Sequence, residues 1–481
     1  MTPTATDITA VAPEIILTLM AGLALLIEAY LPRLRRSVSS LTMLAIAGAL
    51  WARLSYDLPG EVWSGMLRID RLAAYVDAYI LVAAFFAVWM AGPFMRRLEN
   101  QRSELYVLLL LATVGSMIMA CSVNLLPIFL GLELLSIPLY VLNAYLRRYE
   151  VSVEAGLKYF VVGAFASAFV AYGMALLYGA SAGTSLADVG RQVAEFGALN
   201  PLAAVGFAMV FGGLAFKLAL VPCHAWAPDV YQGSPTPITA FLSVVPKGAA
   251  LVVLLRMVEG MDLLRVSPRW VLAASVIAIA SQTLGNVVAI VQRDVKRMLA
   301  YSGIAHMGYA LVAVIVAGDE GGAAVLVYLA AYTLMNMGAF ACVAQFSERE
   351  DRPHLINDLS GQGYNRPVAA LALTISLFAL SGIPPFIGFT AKFVVFRAAV
   401  NEGFVWLAVI GVVNSLISVF YYVRVIYVLY MRPLPEKRPA YSASLALALA
   451  AFSAALATLL LGIYPTAVLS AAQSAILGLA R

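Results

Sequence analysis

The sequence predicts an all-α polytopic membrane protein of about fourteen transmembrane helices, with two inverted five-helix repeats and a broken helix in each. Three observations carry this prediction. The 481 residues are 62% hydrophobic and 12% charged, against roughly 45–50% and 25% in a soluble domain. Mean hydropathy is +0.90, and 31 Lys and Arg with 26 Asp and Glu are too few to clothe a soluble surface of this length. Apolar runs near the ~20 residues needed to span a bilayer recur along the whole chain.

The runs fall near 13–31, 38–53, 72–94, 104–122, 124–146, 154–180, 202–231, 235–258, 268–291, 297–317, 322–346, 366–400, 404–431 and 443–465. Residues 1–103 form an N-terminal three-helix segment. Residues 104–258 and 268–431 carry spans four to eight and nine to thirteen, the two repeats, and 432–481 holds a C-terminal helix. Between spans six and seven, TSLADVGRQVAEFGALNP reads as a short amphipathic helix on the membrane surface. The opening MTPTATDITAVAPE lacks the basic region and small-residue cleavage site of a signal peptide.

The net charge of +5 comes in small groups between apolar runs, which excludes a nucleic-acid patch and makes the basic excess a topology signal. Odd-numbered loops hold 17 Lys and Arg: Arg33, Arg35, Arg36, Arg96, Arg97, Arg102, Arg147, Arg148, Arg293, Lys296, Arg297, Arg349, Arg352, Arg366, Arg432, Lys437 and Arg438. Even-numbered loops hold 8: Arg53, Arg68, Arg71, Arg191, Arg256, Arg265, Arg269 and Arg397. Both termini are therefore expected on the non-cytoplasmic side. No loop exceeds about 20 residues, too short for a nucleotide-binding domain. Cys121, Cys223 and Cys342 lie far apart, and no two of the three histidines share helical spacing. No cofactor or metal is expected in this chain.

Spans seven and twelve are abnormal. In GFAMVFGGLAFKLALVPCHAWAPDVYQGSPTP, Pro222 and Pro228 remove backbone donors and collide with the preceding turns. In LALTISLFALSGIPPFIGFTAKFVVF, Gly382, Pro384, Pro385 and Gly388 do the same. Unwound backbone at bilayer depth survives only where protein or water satisfies it, and paired broken helices mark inverted-repeat transporters.

A charge at bilayer depth costs at least about 2.5–3.5 kcal/mol, so each asks for a reason. Glu133 lies in span five, Lys217 just before the first break, Lys247 in span eight and Lys392 just after the second break. His306 is the histidine deep in a span, and His224 sits inside the first break. Glu133 to His306 is 173 residues, Lys217 to Lys392 is 175 and Lys247 to Arg424 is 177, each a step of five helices. Five being odd, the copies must be inverted.

The chemistry such a set offers is reversible protonation, since burial disfavours an ammonium group and a carboxylate neighbour favours it. Glu133 with Lys217 is then a switchable pair. Lys247 and His306 continue the path, and Lys392 hands the proton to the far side. Tyr328, Tyr332 and Asn336 on span eleven are placed to hold connecting waters. Blander readings stand beside these: Glu133–Lys217 as a static pair, His306 as a hydrogen-bonded core residue, and His224 as a cap on exposed carbonyls. Lys158 reads as a snorkelling partner of Glu154. Glu28, Asp77 and Arg424 read as packing or subunit contacts, and Trp51, Trp270 and Trp406 as an interfacial belt.

The stretches FKLALVPCHAWAPDVYQGSPTPITAFLSVVPKGAAL, QRDVKRMLAYSGIAHMGY and SGIPPFIGFTAKFVVF resemble the antiporter-like membrane subunits of respiratory NADH:quinone oxidoreductase, complex I, and of Mrp-type cation/proton antiporters. The resemblance covers at least residues 104–430. PDVYQGSPTP followed by SVVPK, with the lysine in GFTAKF, resembles the N-type branch. M-type subunits tend to carry glutamate at the position of Lys392, and L-type subunits have a long lateral helix for which this chain has no length. The resemblance implies a proton-translocating, non-redox subunit of a bacterial plasma-membrane complex. Glu133 and Lys217 would be its coupled pair, and Lys247 and Lys392 would continue the path. It implies that NADH, FMN, iron–sulfur clusters and quinone belong to partner subunits. A sister antiporter-like subunit and small membrane subunits are the expected neighbours. A Na⁺/H⁺ or K⁺/H⁺ antiporter subunit and a static scaffold are the competing classes.

Overall fold

A chain this apolar can satisfy its backbone in a bilayer only as helices packed on one another. The computed structural model describes residues 4–56, 58–100, 102–195, 200–261, 268–347, 355–434 and 444–477. Arg265, Arg349, Arg352, Lys437 and Arg438 of the loop count lie outside the described residues. After the short α1 (Ala5–Ala10) come α2 (Ala12–Tyr30), α3 (Val38–Ser55) and α4 (Arg71–Arg97). Then follow α5 (Glu104–Cys121), α6 (Leu125–Asn143), α7 (Glu150–Ser181), the surface helix α8 (Leu186–Glu195), α9 (Pro201–Leu218), α10 (Trp226–Gly233) and α11 (Thr236–Gly260). The second half runs α12 (Pro268–Val291), α13 (Val295–Val316), α14 (Gly318–Gln345), α15 (Pro367–Ser381), α16 (Ile387–Asn401), α17 (Val405–Met431), α18 (Leu445–Ile463) and α19 (Thr466–Ile476). Among the described residues, thirteen helices are long and apolar enough to cross a membrane. The fourteenth expected span is the broken pair α15 and α16.

Helix starts follow local chemistry. The side chains of Asp70, Asn124 and Asp294 accept from backbone amides of Ala73, Leu126 and Arg297 at 2.7, 3.0 and 2.9 Å and cap α4, α6 and α13. Proline opens α9 and α15, where its missing donor has no helical partner to lose.

The helices α11, α13 and α14 are buried almost throughout and form the centre of the bundle. A helix that is apolar all round belongs in such a place. The outer helices α2, α3, α7, α12, α17 and α18 leave broad apolar faces exposed, among them Leu157, Phe165 and Phe169 on α7. Small residues bring neighbours close. A Cβ on Gly115 of α5 would stand 2.7 Å from the Gly131 carbonyl of α6, and one on Gly131 would stand 2.8 Å from the Gly115 carbonyl. On α12 and α13, Cβ atoms on Gly285 and Gly308 would meet the carbonyls of Tyr301 and Ala278, each at 2.8 Å.

The all-α class holds, with one small hairpin in the loop before α4: β1 (Gly60–Val62) pairs antiparallel with β2 (Leu67–Ile69), tied by Arg68–Glu61 at 2.7 Å. Its Trp63-Ser64-Gly65 turn takes positive φ throughout. Other expectations are corrected. Pro228 does not break a helix but sits in the first turn of α10, where it is tolerated. The C-terminal segment holds two helices, with α19 packed on α14 and α4. Trp270, in the first turn of α12, is buried edge-on against Phe207 and Phe211. Arg53 and Arg256, counted as loop residues, are buried inside α3 and α11, and Lys296 is buried in the first turn of α13.

Candidate functional site

The two breaks share one backbone solution. α9 stops at Leu218, and Ala219 takes a left-handed conformation (φ +57°). The Leu220 amide then bonds the Ala215 carbonyl at 2.9 Å and the Ala219 amide the Phe216 carbonyl at 3.0 Å. α15 stops at Ser381 with Gly382 left-handed (φ +86°), and Ile383 and Gly382 bond the carbonyls of Phe378 and Ala379 at 3.2 and 3.0 Å. Both are Schellman caps, which absorb the last carbonyls of a helix. Each break contains a cis X–Pro bond, Val221–Pro222 and Pro384–Pro385.

The freed backbone is satisfied by side chains from neighbouring helices. Trp226 Nε1 donates to the Phe216 carbonyl at 3.1 Å, and Ser281 Oγ accepts from the Val221 amide at 2.9 Å. In the second break Lys392 Nζ donates to the Ser381 carbonyl at 2.9 Å and to Ser415 Oγ at 2.8 Å. The ammonium group thus stands at the negative end of the α15 dipole.

Lys217, in the last turn of α9, is buried with Nζ 3.3 Å from Tyr159 Oη and 5.0–5.5 Å from the ring centroids of Tyr159, Tyr140 and Phe216. Glu133 is half-buried on α6 and makes no ion pair with Lys217; its Oε1 has no hydrogen-bond partner among the described residues. The expected contact pair is therefore not closed in this state, and Lys217 rests against aromatic rings instead. Lys217 and Lys392 also differ in register. Lys217 precedes Pro222 by five residues, whereas Lys392 follows Pro385 by seven, so they occupy opposite arms of their breaks.

Lys247 on α11 is fully buried, its Nζ without a hydrogen-bond partner among the described residues and 5.5 Å from the Tyr231 ring. Pro246, one residue earlier, lies inside the same helix. The Tyr332 hydroxyl on α14 likewise has no hydrogen-bond partner among the described residues. A Cβ on Gly303 of α13 would stand 2.8 Å from both Lys247 Nζ and Tyr332 Oη, so these groups converge on the one residue that has no side chain.

His306, three residues on, is buried between two phenols. Nδ1 lies 2.6 Å from Tyr328 Oη and Nε2 3.3 Å from Tyr422 Oη, which also meets Ser302 Oγ at 2.5 Å. Its ring is 5.2 Å from Tyr332 and 5.9 Å from Tyr309, and Lys392 Nζ is 5.1 Å from the Tyr309 ring. On the other side, Tyr159, Trp226 and Tyr231 form a wall between Lys217 and Lys247. The order across the protein is Lys217, Lys247, His306 and Lys392, separated by aromatic side chains.

Of the expected set, Lys217, Lys247, His306, Lys392, Tyr328 and Tyr332 come together. Asn336 donates to the Tyr332 carbonyl at 3.3 Å, one turn up its own helix. His224 stays at the turn of the first break, where its ring bears on the Pro222 backbone carbonyl while its Nδ1 has no partner among the described residues, so it lies beside the break and outside the row. Lys158 pairs with Glu154 at 2.7 Å as expected, and also with Asp229 at 2.6 Å. Arg424 donates to the carbonyls of Ile290 and Gln292, each at 2.5 Å, a packing role at the end of α12.

Sequence reasoning missed Tyr422, Tyr309, Ser415 and Tyr159, whose roles depend on cross-helix contacts that no spacing encodes. It also missed a buried cluster. Arg53 lies 2.7 Å from both Glu14 and Asp77, and Cys121 Sγ donates to Asp77 Oδ2 at 3.7 Å. Asp77 is thus interior, not a subunit contact. Donor atoms of Glu14, Asp77 and Cys121 lie within 4.8 Å of one another. The cation among the two carboxylates is the guanidinium itself.

Paired broken helices and a central row of buried lysines belong to an antiporter-like membrane protein with many transmembrane helices. The chain belongs to the NADH:quinone oxidoreductase/Mrp antiporter family, whose profile matches residues 122–418. It is 39% identical over 482 residues to NADH-quinone oxidoreductase subunit N of Trichlorobacter lovleyi, covering 98% of this chain and 97% of that one. A chain in respiratory complex I from Thermus thermophilus with bound aureothin superposes with a TM-score of 0.82 at 32% identity, over 96% of this chain and 100% of that one. A chain of the Mrp complex from Dietzia sp. shares the fold, with a TM-score of 0.82 at 22% identity over 98% and 97%.

Proposed function

We propose that the chain is the N subunit of a bacterial NADH:quinone oxidoreductase, set in the plasma membrane with both termini on the non-cytoplasmic side. In this reading it translocates protons while NADH, FMN, iron–sulfur clusters and quinone act in partner subunits. A sister antiporter-like subunit and small membrane subunits are its neighbours. The observation that carries the reading is the row itself. Lys217, Lys247 and Lys392 are buried with no carboxylate in ion-pair or hydrogen-bond contact among the described residues. Static pairing cannot explain three unpaired intramembrane lysines, whereas a charge that comes and goes can.

Each residue has a distinct part. Lys217 gains or loses a proton as Glu133 moves towards or away from it. Glu133 stands on α6 beside exposed Leu130 and Ile137, which suits a group that feels a neighbouring subunit. Lys247 relays through the gap at Gly303 to Tyr332 and His306. The separation of Lys247 Nζ and Tyr332 Oη, at most twice 2.8 Å, is one that a single bridging water spans. His306 passes the proton beyond the midplane, and Lys392 releases it. His224, outside the row, serves at most at the mouth of the path.

The repeat reading, residues 104–258 and 268–431 flanked by 1–103 and 432–481, is supported by the matching Schellman caps and by the glycine-seated crossings of α5 on α6 and α12 on α13. Moving one proton against 100 mV takes about 2.3 kcal/mol, within the range that pairing and burial supply.

The test uses the assembled complex in sealed vesicles, measuring NADH–quinone turnover and proton uptake together. Lys217→Ala and Glu133→Ala should assemble yet lose most coupled transport. Full transport by either variant removes the switch. Transport driven by a Na⁺ or K⁺ gradient without redox turnover would assign the chain to the antiporter class.

A further inference from the structure

We propose that Glu14 and Asp77 form a separate proton-holding site, in which two carboxylates share one proton and one arginine and exchange that proton with water. The site lies outside the lysine row, in the N-terminal helices α2, α3 and α4. Glu14, Arg53 and Asp77 are 7%, 4% and 0% exposed, so their charges are closed off from solvent.

The count of charges is the argument. Arg53 Nη2 lies 2.7 Å from Glu14 Oε1 and Arg53 Nε 2.7 Å from Asp77 Oδ2. Its Nη1 is spent on the Ala10 carbonyl at 2.9 Å. One guanidinium therefore meets two carboxylates. Glu14 Oε2 and Asp77 Oδ1 remain buried without a hydrogen-bond partner among the described residues. Among the described residues, the other groups facing the cluster add no positive charge in contact. Cys121 of α5 donates its thiol to Asp77 Oδ2, and Tyr79 of α4 turns its hydroxyl to Gly248 of α11. Arg256 of α11 stops at the Ala120 carbonyl, 2.9 Å away, and is itself paired with Asp70. A net negative charge left in this layer has no compensation, and one proton supplies it.

The route out is short. A cleft of about 10 Å³, bordered by Thr9, Pro13, Arg53 and Tyr56, opens beside the guanidinium, the space one water needs. The cleft borders Arg53 but neither carboxyl, so in the exchange a carboxyl O–H bond breaks as the cluster opens past the guanidinium, its proton passes to water in the cleft, and the carboxylate keeps the electron pair beside Arg53.

Infrared difference spectra of the whole complex in lipid nanodiscs, recorded between neutral and alkaline pH, test this. The wild type should show a buried carboxylic C=O band that shifts in D₂O, and Asp77→Asn or Glu14→Gln should abolish it. Bands unchanged in both variants overturn the proposal. Should a variant fail to assemble, wild-type protein carrying ¹³C-labelled Asp or Glu carboxyls gives the answer, because no labelled protonated band at neutral pH also overturns it. The readout needs no proton pumping, so it stands apart from the lysine row.

Discussion

Gly303→Ala adds one methyl group at the point where Lys247 and Tyr332 converge. Its Cβ would stand 2.8 Å from Lys247 Nζ and from Tyr332 Oη, where ordinary contact begins near 3.4 Å, so each must retreat by about 0.6 Å. Both are the free ends of long side chains, so the cost should lie at the lower end of the ~1–3 kcal/mol typical of overpacking. The effect on transport should be larger. A positioned proton-transfer group contributes about 10²–10⁴-fold, and filling the gap between donor and acceptor removes the path rather than the groups. Proton uptake should fall at least about tenfold, about 1.4 kcal/mol in barrier, while assembly and melting temperature stay near wild type. Gly303→Ser, which adds a hydroxyl that can bond both neighbours, should recover part of the loss. Wild-type pumping by the alanine variant would refute the relay through this gap.

Lys392 has two roles that substitution separates. Lys392→Arg keeps a donor for the Ser381 carbonyl but cannot deprotonate, so it should preserve stability and lose transport. Lys392→Ala should lose both, with about 1 kcal/mol less stability because Ser415 still reaches the same carbonyl at 3.3 Å. An arginine variant that pumps normally would show that Lys392 is a cap and not a carrier. Asp70→Ala strips buried Arg256 of the carboxylate held at 2.9 and 3.1 Å. It should destabilise by about 3–5 kcal/mol, read as a lower melting temperature, and Arg256→Met added to it should restore part. An unchanged melting point rules out a structural role for that pair.

The fifth expectation concerns pH. The Trp63 amide donates to Asp7 at 2.7 Å, and the Thr4 amide and hydroxyl do so at 2.9 and 2.7 Å. The Trp63 bond, then those from Thr4, hold the Asp7 carboxyl below its usual range. A lowered value means the contact is intact above the ordinary carboxylate range and is lost as pH falls through the Asp7 value. Amide exchange at Trp63, corrected for its intrinsic rate, should speed up in acid, and Asp7→Asn should abolish that change.

What the sequence determined by itself was whatever depends on a residue's own chemistry and its near neighbours. Hydropathy located the spans because a helix crossing a bilayer must be apolar along its length, and prolines and glycines located the two breaks because proline withdraws a donor from the local ladder and glycine permits the left-handed turn. Buried lysines announced themselves by their cost. The tertiary structure decided what depends on facing partners. It separated Glu133 from Lys217, left His224 outside the row, and brought Tyr422 and Tyr309 from distant segments to His306 and Lys392. Asp77 looked like a helix-end residue in isolation; only the packing of α2, α3 and α5 around it shows a carboxylate sharing one arginine with another. Spacing along a helix fixes which face a side chain takes, but not what that face meets.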